Sequence, residues 1–233
     1  MPTLLLQCVA PLQAWDTQSN FGVRTTGREP SKSGIIGLLC AALGRPRQEA
    51  VDDLAELRMG VRIDQEGHIL RDWHTAGVDG YLKAGGSIER KNVITSTRYY
   101  LTDAAFLVGL ESDDFTLLQR LHDALNHPRW ILFLGRKSCP PAAPPYLSDG
   151  LREENDLRMS LTAYPWLSRS RRRYDQLRRY NPRGVRLVLE DAEDGSLVRQ
   201  DHPLSYEKGN RQFAPRRMTT AWADWPPFYE ERS

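Results

Sequence analysis

Lys32 and Ser33 open a run that becomes wholly apolar within three residues, and the chemistry this implies is the holding of an anion. In Arg24 to Gly44, RTTGREPSKSGIIGLLCAALG, Pro30 forbids helix before it, and Ser31 is of the type that caps a helix N-terminus. Ile35, Ile36, Leu38, Leu39, Ala42 and Leu43 cover most of the helix that follows, so this helix must be buried. Its first backbone N–H groups, the Lys32 ammonium and the Ser33 hydroxyl then form a site suited to phosphate. A capped core helix with a solvated lysine is the plainer reading of the same residues. GREPSKS has the look of a nucleotide phosphate loop, but Ser31 stands where the second glycine should be, and Pro30 removes a donor. Both departures count against an NTPase.

Four further clusters could carry chemistry. PLQAWD leaves an apolar strand with Gln13 and Trp15, an amide that can read a base and an indole that can stack on one or fold back onto the core. RDWHT offers His74 as a general base, a metal ligand or an RNA-contacting side chain; with one neighbouring acid and no second histidine, a metal site is disfavoured. FLGRKSCPP turns at Gly135 and presents Arg136, Lys137 and Ser138 as phosphate donors. The segment from Ser168 to Gly184 sets seven arginines against Asp175 and interleaves Tyr174 and Tyr180. That pattern fits a solvated surface and a nucleic-acid backbone equally well.

The elements that must position these residues follow in order. Thr3–Val9 reads as a buried strand and Ser31–Leu43 as the buried helix, stopped by Gly44 and Pro46. Gln48–Leu57 reads as a short helix. Arg58–Asp64 and His68–Trp73 are expected to form a hairpin about Gln65-Glu66-Gly67. Tyr99–Leu110 reads as a strand, Asp113–Leu125 as an amphipathic helix and Trp130–Leu134 as another strand. The order predicts an α+β, ferredoxin-like domain over 1–139, interrupted by a projecting β-arm at about 76–98. Pro140–Pro145 marks a boundary to a small β-rich region over 140–233, with a strand pair Gly184–Glu190 and Ser196–His202.

At 233 residues and a net charge of +2, the composition is that of an ordinary globular chain, and only local patches can argue for a nucleic-acid partner. Cys8, Cys40 and Cys139 fit neither a zinc spacing nor a disulfide framework. Pro2–Ala10 reads as a strand and not a signal peptide, and no run is long enough for a membrane span, so a cytoplasmic location is expected.

The six segments PLQAWD, RTTGREPSKSGIIGLLCAALG, RDWHT, RYYLTDAAF, FLGRKSCPP and RQFAPRR occur in the order found in the CasD family. The chain resembles that family, the RAMP-type subunits of the type I-E CRISPR Cascade complex, over about Leu4 to Arg217. The resemblance implies a subunit that cuts nothing and uses no cofactor or metal. It would hold the 5′ handle of the CRISPR RNA, beside CasC-type backbone subunits and a CasA-type large subunit, and meet target DNA only through the complex. It also implies that the arm is a thumb. On this reading Lys32, Ser33, Arg136, Lys137 and Ser138 grip phosphates, and Gln13 and Trp15 meet bases or sugars. Arg24 and Arg28 close over the strand, and His74 and Arg98 contact RNA. The rival expectation is a metal-independent ribonuclease that processes repeat RNA, with His74 as base beside Lys32 or Lys137.

Overall fold

The computed structural model describes residues 1–17, 22–83, 85–168 and 170–228; residues 18–21 of the loop before Pro30, Ala84 in the arm and Arg169 in the arginine run lie outside them. In chain order the elements are β1 (Thr3–Gln13), β2 (Val23–Arg24), α1 (Lys32–Leu43), α2 (Asp52–Ala55), β3 (Arg58–Gln65), β4 (His68–Ala76), β5 (Tyr81–Leu82) and β6 (Ile88–Glu89). There follow β7 (Ile94–Glu111), α3 (Phe115–Asn126), β8 (Leu151–Arg152), α4 (Leu157–Ala163), α5 (Arg171–Tyr180), β9 (Val185–Glu190), β10 (Leu197–Ser205) and β11 (Gln212–Ala223).

One mixed, strongly antiparallel sheet runs in the order β10-β11-β9-β3-β7-β1-β8. Its spine is β7, an 18-residue strand whose last eight residues, Ala104–Glu111, are all buried. Alternation along the strands sends Leu4, Leu6, Cys8, Phe106 and Val108 to one face, under α1 and α3. Leu5, Leu107, Leu187 and Leu189 go to the other face, where Leu157 and Leu161 of α4 cover them. Two of the three helix expectations hold, while the third, Gln48–Leu57, shortens to Asp52–Ala55; Ser31 caps α1 by accepting from the Gly34 N–H, and Gly44 ends it in the left-handed conformation at φ 72°. In α3 the buried residues are Leu118, Leu121 and Leu125, the apolar stripe of the sequence.

The strand expectations need three corrections. The segments Arg58–Asp64 and His68–Trp73 form no hairpin, because both lie antiparallel against β7 on the same side. Met59 faces Leu110, and ten residues later Ile69 faces Leu101, so β3 and β4 act as one long strand broken by a bulge near Gln65. The chain reverses only beyond Ala76, and the arm is therefore the ladder of β4 with Ile94–Thr102 of β7, longer than the expected 76–98, with the small β5–β6 pair toward its tip. Second, Trp130–Leu134 is not a strand; the short β8 takes the place beside β1. Third, β9 and β10 do not pair with each other, because β11 lies between them. Strand β9, which lies beyond the expected boundary at 140, pairs with β3 from Gly60 to Ile63.

The arm buries little: every residue of β4 except Asp72 is exposed, and on its β7 side only Thr97, Tyr100 and Leu101 are buried, the last two at its base. Amides of the arm should therefore exchange with solvent much faster than those of Ala105–Glu111 in the isolated chain. Hydrogen exchange read by mass spectrometry checks this, and protection of 77–93 equal to that of the core half of β7 would contradict it.

Candidate nucleic-acid interface

A cleft of about 1190 Å³ opens on the α1 side of the sheet. Its floor is the outward face of α1, where Ser33, Gly34, Gly37 and Ala41 keep the surface low, and its walls are the end of β1, the segment 129–137 and the start of β11. Seven basic residues line it, Arg24, Arg45, Arg47, Arg129, Arg136, Lys137 and Arg211, against one acid, Asp16. Aromatic surface comes from Trp130, which is 48% exposed, and from the half-buried Phe133, Tyr206 and Phe213. Cations for phosphates beside flat apolar faces for bases are what a single-stranded polynucleotide needs.

Two close approaches shape the cleft. A Cβ on Gly34 would stand 2.9 Å from the Trp15 ring, so the missing side chain is what lets α1 lie on that indole. Gly135 sits at φ 89°, and a Cβ there would reach 1.7 Å from the Ala14 carbonyl oxygen. Only glycine can make that turn against the end of β1. Arg136 then clamps the rim: its Nη1 donates to the Tyr99 carbonyl (3.0 Å), its Nη2 to the Thr25 carbonyl (2.7 Å), and the guanidinium lies 5.1 Å from the Tyr100 ring centre.

Of the eleven expected site residues, the structure brings Trp15, Arg24, Ser33, Arg136 and Lys137 to this cleft. Trp15 is there as structure, being 1% exposed, with its Nε1–H donated to Gln13 Oε1 at 3.0 Å. Gln13 is fully buried and donates to the carbonyls of Cys8 (3.1 Å) and Ala104 (2.7 Å). It braces the indole from within the core. Ser138 is exposed just beyond Lys137, and Arg28 is exposed on the loop before α1; neither lines the cleft. Arg98 is in register with Arg24 on one side and Asp72 on the other, at the base of the arm. His74 lies further along β4, its Nδ1 3.6 Å from Asp72 Oδ2, away from the cleft lining.

Lys32 is corrected most. Its ammonium is 1% exposed and bonded to both carboxylate oxygens of Glu190, at 2.8 and 2.9 Å. The helix N-terminus already holds an anion, since the Lys32 backbone N–H donates to Asp201 Oδ2 at 2.8 Å. Arg216 closes the cluster with two bonds to Asp201, at 2.9 and 2.8 Å. Burial pulls the Lys32 ammonium below its usual range, and the Glu190 carboxylate opposes that pull. The expected phosphate site is thus occupied by the protein's own carboxylate, contributed by a strand whose position no local pattern discloses.

The remaining groups show little nucleophilic chemistry. Burial pushes all three thiols up, Cys40 to about 11, so they stay protonated at neutral pH. Among the described residues no group of three or more His, Cys, Asp or Glu could hold a metal ion, and no helix is long and apolar enough to cross a membrane. Sequence reasoning missed Arg45, Arg47, Arg129, Trp130, Tyr206 and Phe213. The segment RQFAPRR was visible as a motif, but nothing local placed Arg211 opposite α1.

A family model described as CRISPR-associated protein (Cas_Cas5) matches residues 3–219. The CRISPR system Cascade subunit CasD of Escherichia coli (strain K12) is 33% identical over 174 residues, which cover 69% of this chain and 76% of that protein. A solved chain described as a crystal structure of a Cas protein is 41% identical, with a TM-score of 0.71 over 94% of this chain and 93% of its own. A chain in a CRISPR RNA-guided surveillance complex is 28% identical, with a TM-score of 0.75 over 94% and 89%.

Replacing Lys32 by Ala should lower the stability of the fold by about 3 kcal/mol, the low end for a broken buried pair because Glu190 keeps some contact with water. Urea unfolding measures this; an unchanged midpoint with weakened RNA binding would return Lys32 to the ligand-contacting set. Gly135→Ala should cost at least about 2 kcal/mol through strain and the clash with Ala14. A drop in thermal midpoint would register it, and a variant as stable as the parent would refute the close-approach argument.

Proposed function

The chain belongs to the CRISPR-associated protein (Cas_Cas5) family, and on that footing we propose that it is a non-catalytic RNA-binding subunit of a type I-E Cascade assembly. It holds the 5′ handle of the CRISPR RNA in the basic cleft and caps one end of the backbone, in the cytoplasm, as part of antiviral defence. The observation that carries this is the cleft lining, seven basic residues and, beside the buried Trp15, four accessible aromatic rings around a floor of small residues. Support also comes from what similar proteins are described as, a Cascade subunit and a chain of an RNA-guided surveillance complex.

The order β8-β1-β7-β3, with β7 antiparallel to both β1 and β3, supports reading the core as a ferredoxin-like RAMP domain. The β4–β7 arm is then the thumb. Trp73, Val78, Leu82 and Ile88 on it are between 60% and 77% exposed, and so much apolar surface favours cover by neighbours. We assign those neighbours as CasC-type backbone subunits and the RNA, with a CasA-type large subunit adjacent and target DNA reached through the complex. Arg24, Arg136 and Lys137, with Arg211 and Trp130, are the proposed contacts. Cleavage is not part of this reading: Lys32 is sealed against Glu190, and among the described residues the charged partner of His74 is Asp72.

Labelled repeat-derived RNA, mixed with the purified protein in chelator and run on native and denaturing gels, tests the proposal. The expected result is saturable binding with the RNA intact, and a salt slope of about −0.7 per phosphate neutralised. Trp130→Ala should cost roughly 1–3 kcal/mol of affinity through lost stacking, and Lys137→Ala with Arg211→Ala should flatten the salt slope. RNA cutting that His74→Ala abolishes would replace this reading with the processing ribonuclease.

A further inference from the structure

The arginine run takes no part in the cleft. Val185 shares its side of β9 with Leu187 and Leu189, and Tyr174 of α5 packs on Val185. Helix α5 therefore lies on the α4 side of the sheet, the face opposite α1 and the cleft.

Nor is the run a loose charged tail. Ser170 caps α5 by accepting from the Arg173 N–H at 3.3 Å. Tyr174 is buried among Trp166, Trp225 and Phe228, with ring centres 5.4 to 5.6 Å apart, and its hydroxyl donates to the Pro226 carbonyl at 2.8 Å. The far end is held as well, where Trp225 Nε1–H donates to the Asn181 carbonyl at 2.9 Å. Four of the six exposed residues of this anchored helix are arginines. Arg172, Arg178, Arg179 and Arg183 are exposed and make no ion pair or side-chain hydrogen bond with the described residues. The single acid on the helix, Asp175, is bonded to Arg171.

We infer that the outer face of α5, with Arg183 beyond its end, is a second nucleic-acid surface, independent of the cleft and suited to the phosphate backbone of a duplex. Charge complementarity names a polyanion, and shape narrows it. Arg172, Gln176 and Arg179 fall on one line, about 10 Å from first to last at 1.5 Å per residue. A duplex carries one negative charge per about 1.7 Å of its axis, so that line spans several phosphates. A single strand needs a groove and stacking platforms. Helix α5 is convex, and Tyr180 is its one exposed ring. Guanidinium forks without internal partners supply backbone contacts and no reading of sequence.

The test measures binding of the full chain to a short DNA duplex of random sequence, an RNA duplex of the same length and a single-stranded RNA, by fluorescence anisotropy across salt. Four phosphate contacts at a slope of about −0.9 each imply a loss of roughly 10²-fold in duplex affinity between 50 and 200 mM salt. Replacing Arg172, Arg178, Arg179 and Arg183 together by Gln should weaken duplex binding at least about tenfold at low salt and flatten most of that dependence. Single-stranded RNA binding should stay unchanged. Lys137→Ala with Arg211→Ala should do the reverse, so failure of this surface and failure of the cleft give different patterns. Preference between the two duplexes identifies the source, and either preference supports the surface. Absence of duplex binding by the parent overturns the inference. Duplex binding untouched by the four substitutions, or single-stranded affinity falling in step with it, also overturns it.

Discussion

The fold depends on a closed cluster of four charges beneath the start of α1. Lys32 and Arg216 face Glu190 and Asp201, and the helix N-terminus adds its partial positive charge on the same side. Burying four ionised groups costs more in lost hydration than a surface pair ever returns, so such a cluster is a poor source of net stability. Its value is positional. The charges satisfy one another across the packed elements, and their contacts tie α1 to β9, β10 and β11. The outward face of α1 thereby becomes the cleft floor, and the strands carrying Tyr206, Arg211 and Phe213 become its wall.

Charge on this molecule is a matter of placement rather than amount. A net +2 would pass unnoticed, yet one face gathers seven basic residues around a cleft and the other presents an arginine helix. Many of the remaining charges cancel locally: Glu29 binds both Arg186 and Arg199, Glu111 binds Arg58, and Asp64 binds Arg62. The last pair is wholly buried, and Arg62 also donates to the carbonyls of Leu161 and Pro165 while Asp64 accepts from the Leu167 N–H. It secures α4 and the chain leading to α5 on the face away from the cleft.

The arm follows from the same economy of core. One strand, β7, serves two environments: Ala104–Glu111 lies between β1 and β3 under helices on both faces, while Ile94–Tyr99 runs out with β4 and is exposed or half-buried apart from Thr97. The hydrogen-bonded ladder persists where the hydrophobic driving force stops. Such an element keeps its secondary structure but needs contacts from elsewhere to fix its direction.

The sequence by itself determined the features whose causes are local. Pro30, Ser31 and Gly44 bound α1, and leucines spaced along α3 fixed its buried face, because caps and periodicity act within a few residues. The order of six motifs was also enough to point to the family that the family model then matched over residues 3–219. Only the tertiary structure decided which strands pair and which polar groups face solvent. Alternation marks β3, β4, β9 and β10 as strands but is silent on partners, so an apparent hairpin became one bent strand, and β11 entered between an apparent pair. Gln13, Trp15 and Lys32 looked like ligand contacts because amide, indole and ammonium groups bind nucleic acids. They are instead sealed by partners as distant in sequence as Ala104 and Glu190. Burial depends on residues brought from far along the chain, and that information belongs to the fold as a whole.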